Sequence, residues 1–285
     1  LVRVIAICAA GSAVYFLLGA LYLEESSPWG RLEVPAVGAS AYGLGAVIIL
    51  GIVVTRLNAS RLVNDNHVAS QLWLTTGWVA LAVILFAATL SLGTIHVIFG
   101  LLNACLVISI GIAWSQRLSP HVTYWLPAIA GLMVVQILLF DAVMDTGRPL
   151  IWRAAVDSIF KQDTLFGAGI LAEVDRMVSC ADSKLEGFSN CRVDHVHSIY
   201  VSTLHHGGLL ALTLLVLVVL LAASDLFELP PGEPRTVSLG LLAFGMTVLM
   251  FDGQTIIRKM DFVWLLFWLP VALAGGLHSR FRSEG

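Results

Sequence analysis

The stretch "LLALTLLVLVVLLAAS", residues 209–224, contains no charged side chain. It belongs to a longer run, 196–224, that is free of Asp, Glu, Lys and Arg. The hydrocarbon core of a bilayer is about 30 Å thick, and about 20 helical residues are needed to cross it. The run therefore predicts a transmembrane helix.

The composition of the whole chain also indicates a membrane protein. Of its 285 residues, 58% are hydrophobic and 12% are charged, and the mean hydropathy is +0.88, whereas a soluble domain carries about 25% charged residues. No basic block accompanies the net charge of −3, so nothing suggests nucleic acid as a partner. The chain begins at Leu1, almost inside an apolar stretch, and we expect it to have lost N-terminal spans.

Charge-free runs predict an all-α integral membrane protein with about eight transmembrane helices. The run at 66–116 is long enough for two spans, with a turn at 91–94. We expect helices 1–5 in residues 1–142, a loop in 143–195, and helices 6–8 with a tail in 196–285. The runs are 4–23, 34–55, 66–116, 118–140, 196–224, 236–251 and 262–279, and the short run at 236–251 is expected to extend into its flanks.

The distribution of cations predicts which side of the membrane each loop faces. Eight helices would gather one set of cations at one side (Arg3, Arg56, Arg61, Arg117, Arg235, Arg280 and Arg282) and leave Arg31, Arg258 and Lys259 at the other. Short cytoplasmic loops are enriched in Lys and Arg, so the first set is expected in the cytoplasm and the loop 143–195 outside.

Cysteine usage agrees with an external loop. Cys180 and Cys191 both fall within 143–195, where an oxidising periplasm would let them form a disulfide. Two free thiols are the alternative. Cys8 and Cys105 fall within spans and are expected to be small core residues.

The loop opens with "DTGRPLIWRAAVDSIFKQDTLFGAG", residues 145–169, which predicts a short amphipathic helix. Pro149 occupies a tolerated first-turn position, and the glycines of 166–169 would end the helix. An apolar stripe should face the membrane surface or cap the bundle, with Arg153, Asp157 and Lys161 elsewhere. The stripe consists of Ile151, Trp152, Ala155, Ile159 and Phe160.

Four histidines stand at the start of the run 196–224. His197 is expected at the outer interface on the helix, facing the loop, with His195 on a different face; an ordinary interfacial histidine is the alternative. His205 and His206 lie deeper and should face the bundle interior or a wet cavity. Arg148 suits an anionic ligand such as phosphate, the alternative being an arginine that reaches the interface. The same two interpretations, an anion-binding arginine or one that only reaches the interface, apply to Arg31, Arg153 and Arg258.

Two ordered elements of the sequence resemble the O-antigen ligase and polymerase family of bacterial membrane glycosyltransferases. The family pattern "(S/T)GR…(I/L)W…A…PL(F)GxG" is similar to Thr146-Gly147-Arg148, Ile151-Trp152, Leu165-Phe166-Gly167 and Gly169 here. The second pattern, "HN.YL..L.E.GL.GL", matches His197, Tyr200, Leu204, Gly208 and Leu209. The resemblance covers roughly residues 70–277, and "DFVWLLFWLPVAL" (261–273) looks like the family's closing span.

The chain departs from the family pattern at three places. Ser198 replaces the asparagine, His206 the frequent glutamate, and Ser91-Leu92-Gly93 lacks the arginine of an "SRG" element, so no role is carried over there. The form His195 to Ser198 is similar to the ligase branch, which acts on lipid A-core.

The resemblance implies transfer of a glycan from undecaprenyl diphosphate to a sugar hydroxyl of lipid A-core, without metal, cofactor or nucleotide sugar. It places the protein in the bacterial inner membrane as a multi-pass protein with a periplasmic active face. Arg148 and then Arg31 would neutralise the diphosphate, and His197 would be the base or positioning group for the hydroxyl. Substrate-binding candidates are Arg31, Arg153, His195, Tyr200 and Arg258.

The sequence leaves several other functions open. An O-antigen polymerase uses the same carrier but a carrier-linked acceptor, and a protein O-oligosaccharyltransferase glycosylates a secreted protein. A transporter or channel would use the histidines as a proton path, but should carry charged or helix-breaking residues in paired segments at mid-membrane, and we identify neither. A structural or assembly protein of the membrane is the remaining alternative.

Overall fold

The computed structural model describes part of the chain, and that part is helical without a β-strand. Described are residues 43–53, 55, 85, 95–115, 148–161, 163–169, 172, 196–253 and 263–284. The all-α prediction is confirmed at this level. The predicted spans at 4–23 and 118–140, the turn at 91–94 and most of 170–195 lie outside the described residues, as does the count of eight helices.

Six α-helices and one π-helical turn make up the described part. They are α1 (Gly43–Val53), α2 (Ile95–Ser115), α3 (Arg148–Lys161), α4 (Ile199–Glu228), α5 (Glu233–Phe251), the π turn (Trp264–Trp268) and α6 (Leu269–Glu284). By length and composition, α4 and α5 could each cross a membrane. Helices α1 and α2 contain shorter apolar stretches, Gly43–Val53 and His96–Ile110.

Helix α5 extends the short apolar run 236–251 into its N-terminal flank, as predicted, but ends with the run at Phe251. Helix α5 begins at Glu233, with Pro234 in its first turn, where the missing N–H costs nothing. Arg235 donates from Nη1 to the carbonyl of Leu229 at 3.1 Å, and its guanidinium lies 5.7 Å from the centre of the Phe227 ring. The turn is therefore fixed by side chains of both helices.

Helix α5 packs against α2 and α1 at glycine positions, where no side chain separates the helices. A Cβ at Gly100 would lie 2.7 Å from Val248, and one at Gly240 would lie 2.8 Å from Ile108, so the backbones approach closely. Phe244 is fully buried beside these glycines. Small residues are a common means of helix pairing in membranes, because close backbones gain dispersion contact that lipid cannot replace.

The amphipathic helix predicted in the loop is present as α3. Its buried side chains are Ile151, Ala155 and Ile159, which follow the i, i+4, i+8 line of one helix face and pack on α4. Phe160, the last residue of the predicted stripe, is 71% exposed and does not join this buried face. One residue turns a helix by about 100°, and Phe160 therefore leaves the face that Ile159 completes.

Helix α4 is interrupted at Gly208, where φ is 64° and ψ is −165°. The sequence reading expected a regular helix here and missed this break. A regular helix would pair the N–H groups of Leu209 and Leu210 with the carbonyls of His205 and His206. Both of those helical bonds are open.

The turn 163–169 fills the break. Its carbonyls accept from the two opened N–H groups, and its N–H groups donate to the two opened carbonyls, so all four backbone groups are paired. The hydrogen bonds are Leu209 to Thr164 at 3.0 Å, Leu210 to Leu165 at 3.2 Å, Ala168 to His205 at 2.8 Å and Gly169 to His206 at 3.0 Å.

The opposite end of the helices carries its own charged groups. Glu228 lies 3.6 Å from Nε2 of His278 and accepts from Arg282 at 3.3 Å, which joins the ends of α4 and α6. Arg235 and Arg282 therefore lie at one end of the described helices, as the sequence predicts for residues on one side of a membrane.

Candidate functional site

Three ionisable side chains from three separate helices meet at the end where α3 begins. Arg148 opens α3, Asp252 follows α5, and His96 stands in the first turn of α2. Nε2 of His96 lies 3.7 Å from Oδ2 of Asp252, with only 11% and 13% of the two side chains exposed. The charge of Arg148 acts on both groups. We call Arg148, Asp252 and His96 the charged cluster.

The backbone at the end of α5 holds the carboxylate of Asp252 in place. The N–H of Asp252 donates to the carbonyl of Val248 at 3.0 Å, which caps the helix. Its Oδ1 accepts from the N–H of Gly253 at 2.7 Å. Gly253 has φ of 99°, a conformation that glycine adopts without strain. Oδ2 is the oxygen that faces Nε2 of His96.

Arg148 is the fixed positive charge of the cluster. Burial lowers the pKa of its guanidinium from the ordinary value, and the carboxylate of Asp252 acts in the opposite direction. An arginine stays protonated in proteins in either case. The guanidinium is half-buried, so an anion that reaches it would be attracted more strongly than at an open surface.

His96 brings an unsatisfied nitrogen to the same place. Its Nε2 is buried, and the described residues provide no hydrogen-bond partner for it. The separation of 3.7 Å from Asp252 is longer than a hydrogen bond. A ligand at the charged cluster could therefore use this nitrogen as well as the guanidinium.

His197 lies in the segment just before α4 rather than on the helix, which corrects the sequence expectation. Ser198 is the N-cap, and its side chain accepts from the N–H of Val201. The φ of His197 is 51°, a left-handed conformation that is uncommon for a residue with a side chain. The imidazole is partly exposed.

Trp152 ties α3 to the segment that carries His197. Its Nε1 donates to the carbonyl of Val196 at 2.9 Å, and its ring centre lies 6.2 Å from that of Phe251 at the end of α5. Arg148 is one turn before Trp152, and His197 directly follows Val196. The structure thus brings Arg148 and His197 to the same end of the helices.

The other predicted binding residues make their hydrogen bonds and ion pairs with residues outside the charged cluster, or lie outside the described part. The hydroxyl of Tyr200 donates to the carbonyl of Met246 at 3.2 Å, so it joins α4 to α5. Arg153 is on the outer face of α3, 82% exposed, with Nε 3.9 Å from Asp157. Arg31, His195, Arg258, Cys180 and Cys191 lie outside the described residues.

The two deeper histidines differ in their surroundings. His205 is fully buried, as predicted for an interior position, and neither ring nitrogen has a hydrogen-bond partner among the described residues. Nδ1 of His206 lies 3.1 Å from the carbonyl of Gly169, to which it can donate. The two ring centres are 4.8 Å apart. His206 therefore helps to hold the inserted turn 163–169.

Sequence reasoning missed Asp252 and His96. Asp252 closes the run 236–251, but the segment 252–261 was read only for its cations. His96 falls inside the charge-free run 66–116, where a histidine does not interrupt the pattern. An acid at the end of a span, together with an arginine at the start of a surface helix, is the signal that could have identified Asp252.

The arrangement can bind an anion and exchange a proton. Within the described ranges, no group of three or more His, Cys, Asp or Glu side chains could hold a metal ion. Arg148 offers the donors, and His197 and His96 are the imidazoles at this end. No protein-family model, no curated protein and no solved structure matches this chain.

Proposed function

We propose that this protein is an integral membrane glycosyltransferase of the O-antigen ligase type. It transfers a glycan from undecaprenyl diphosphate to a sugar hydroxyl of lipid A-core, at the periplasmic face of the bacterial inner membrane. The donor is a lipid, and the acceptor is also anchored in a membrane. A site at the end of apolar helices therefore suits both substrates.

One observation supports this proposal above the others. The two sequence elements that carry the resemblance, 146–169 and 197–209, are far apart in the chain, yet hydrogen bonds join the first element to the second and to the residue just before it. Trp152 bonds to Val196, and the turn 163–169 bonds to the break in α4. The contact supports the proposal because Arg148 of the first element and His197 of the second lie at the same end of the helices.

Arg148 and His197 perform different parts of that step. Arg148 binds the diphosphate and stabilises the negative charge that develops as the bond between the anomeric carbon and the phosphate oxygen breaks. His197 takes the proton of the acceptor hydroxyl as its oxygen bonds to the anomeric carbon. Undecaprenyl diphosphate leaves, and the negative charge of Asp252 acts on the guanidinium of Arg148 from the end of α5.

The first experiment measures transfer by full-length protein in lipid vesicles that contain the lipid-linked glycan and lipid A-core. Arg148→Ala should lower the rate about 10²- to 10³-fold, because a group that stabilises the developing charge is lost. His197→Ala should lower it about 10²- to 10⁴-fold. Lys161→Ala, on the exposed end of α3, is the matched control and should keep the wild-type rate.

Wild-type transfer by His197→Ala would contradict the catalytic role. Membrane insertion of each variant is measured alongside, so that a loss of folding is not mistaken for a loss of chemistry. In cells, both site variants should lack surface O-antigen while the protein remains in the membrane fraction.

A deletion strain separates the three transferases. A ligase leaves finished glycan polymer unattached, a polymerase leaves single repeat units, and a protein O-oligosaccharyltransferase leaves unmodified protein. Accumulation of single units or of unmodified protein would replace the ligase proposal by one of the other two.

The break in α4 gives the transporter alternative a feature that the sequence reading did not find, because interrupted helices often line transport sites. The break lies ten residues into α4, however, and within the described residues α5 has no matching interruption. Its open backbone groups are paired with the turn 163–169 instead of facing a cavity. Transfer by purified protein would exclude both the transporter and the purely structural alternatives.

A further inference from the structure

The turn that fills the break in α4 exposes apolar side chains beside the apolar face of the helix. Leu165 is 52% exposed and Phe166 is 59% exposed, although both are large hydrophobic residues. Leu209 and Leu210, whose N–H groups bond to this turn, are 47% and 46% exposed. We call these four side chains the loop patch.

The position of the loop patch along α4 fixes its depth. No charged residue or histidine occurs in 207–224, between His206 and Asp225. These residues correspond to roughly 27 Å of helix, close to the thickness of the hydrocarbon core of a bilayer. The loop patch lies at the first turn of this stretch and therefore at the edge of the hydrocarbon core.

The loop patch is continuous with the exposed face of the spanning helix. Leu214, Leu217, Leu220 and Leu221 continue this face toward the other end, and each is at least 48% exposed. A helix of this composition meets lipid on its exposed side. The loop patch extends the same surface by two side chains from another part of the chain.

Much of the backbone of the turn is already paired within the protein, which lowers the cost of entering lipid. Irregular backbone is costly in hydrocarbon, because its polar groups lack water. Here the four opened groups of α4 are paired with the turn. Oδ1 of Asp163 also accepts from the N–H groups of Leu165 and Phe166, at 2.9 and 3.2 Å.

We infer that the turn 163–169 inserts into the leaflet on the Arg148 side and that Leu165 and Phe166 contact the acyl chains of bilayer lipid. This inference rests on the membrane placement of α4 in the proposed function. It makes the turn part of the lipid-facing surface, a role distinct from binding donor or acceptor.

A nitroxide label attached at Phe166→Cys tests the insertion. The protein is the full chain in phospholipid vesicles, with its four native cysteines replaced by serine. Leu217→Cys reports a position in mid-span, and Asp157→Cys reports the exposed surface of α3. The measurement compares collisions of each label with oxygen, which dissolves in lipid, and with a water-soluble nickel complex.

Insertion predicts an oxygen-to-nickel collision ratio at Phe166 several-fold above that at Asp157 and approaching that at Leu217. A ratio at Phe166 equal to that at Asp157, with a high ratio at Leu217, would overturn the insertion and leave the span intact. Low ratios at all three positions would overturn the membrane placement itself.

Two further measurements keep the test decisive. Spin–spin broadening at Phe166 that grows with protein concentration would mean that a second copy of the chain covers the loop patch, which also overturns the inference.

If the cysteine-free chain does not fold, Phe166→Cys and Asp157→Cys are compared in the wild-type background. Mass spectrometry of the modified peptides then measures their reaction with a charged, water-soluble maleimide, which should be several-fold slower at Phe166.

Discussion

Gly167 and Gly208 lie in backbone contact where the turn 163–169 enters α4. A Cβ on Gly167 would stand 2.5 Å from the nitrogen of Gly208, and one on Gly208 would overlap the carbonyl of Leu165. Both glycines also have positive φ, at 73° and 64°. An added methyl group is therefore opposed by both the neighbouring backbone and the local conformation.

Replacing either glycine by alanine should destabilise the protein. We expect Gly167→Ala and Gly208→Ala each to lower the free energy of unfolding by at least about 1–3 kcal/mol, because the backbone conformation alone costs that much with a side chain. Gly276→Ala in α6 is the control, since nothing lies within 4 Å of its Cβ position. Equal stability of Gly208→Ala and Gly276→Ala in detergent unfolding would contradict the close contact between the turn 163–169 and the break in α4.

Arg148 and Asp252 should be energetically coupled. In a double-mutant cycle with Arg148→Gln and Asp252→Asn, we expect a coupling free energy above about 0.5 kcal/mol, because the carboxylate acts on a half-buried guanidinium, where solvent and salt screen charges less than at the surface. The cycle Arg153→Gln with Asp157→Asn is the matched control on the same helix. Its partners are 82% and 59% exposed, and the coupling should stay below about 0.5 kcal/mol. Similar coupling in both cycles would argue against the charged cluster.

At the scale of the element, α3 is held by its two ends. Trp152, one turn after Arg148, donates to the carbonyl of Val196, and the turn 163–169 bonds to the break in α4. Between them, Ile151, Ala155 and Ile159 pack on α4. Helix α3 is thus attached to the start of α4 at two places, and the attachment through Trp152 fixes the position of Arg148 one turn earlier.

Loss of the first anchor should loosen α3 selectively. Trp152→Phe removes the donor to the carbonyl of Val196, and we expect a cost of about 0.5–1.5 kcal/mol. Hydrogen exchange should become faster in 148–155 and remain unchanged in α5. Phe160→Leu, at an exposed position of the same helix, should leave the exchange of both segments as it is. Unchanged exchange in 148–155 of Trp152→Phe would show that the indole bond is not what holds the helix.

At the scale of the whole molecule, the described helices have two chemically different ends. One end carries Arg148, Asp252 and His96, and the other joins Glu228 to His278 and Arg282. In a membrane these ends face opposite sides. The second end carries Arg235, Arg280 and Arg282, which the sequence-based count of cations in short loops assigns to the cytoplasmic side.

Labelling from the two sides of the membrane tests this orientation. Asp157→Cys, on the outer face of α3, should react with a maleimide that cannot cross the inner membrane. Pro231→Cys, in the exposed turn between α4 and α5, should react only after that membrane is opened. The reverse pattern would invert the orientation, and reaction of both residues in intact cells would argue against α4 and α5 as spans.

The sequence alone determined the helical class, the apolar runs and the amphipathic helix 148–161. These features follow from hydropathy and periodicity over neighbouring residues, and such local properties can be predicted without knowledge of tertiary contacts. The sequence also singled out Arg148 and His197, although the chemical roles of both remain predictions.

Only the tertiary structure decided how these parts meet. Two contacts join residues that are far apart in the chain: the ion pair of Asp252 with His96, and the hydrogen bonds between the turn 163–169 and the break in α4. The exposure of Phe160 likewise depends on which face of α3 packs on α4. No local pattern records that the N–H groups of Leu209 and Leu210 leave their own helix for carbonyls some 45 residues earlier. Backbone hydrogen bonds are indifferent to side-chain identity, and the sequence therefore marked this junction only by its glycines.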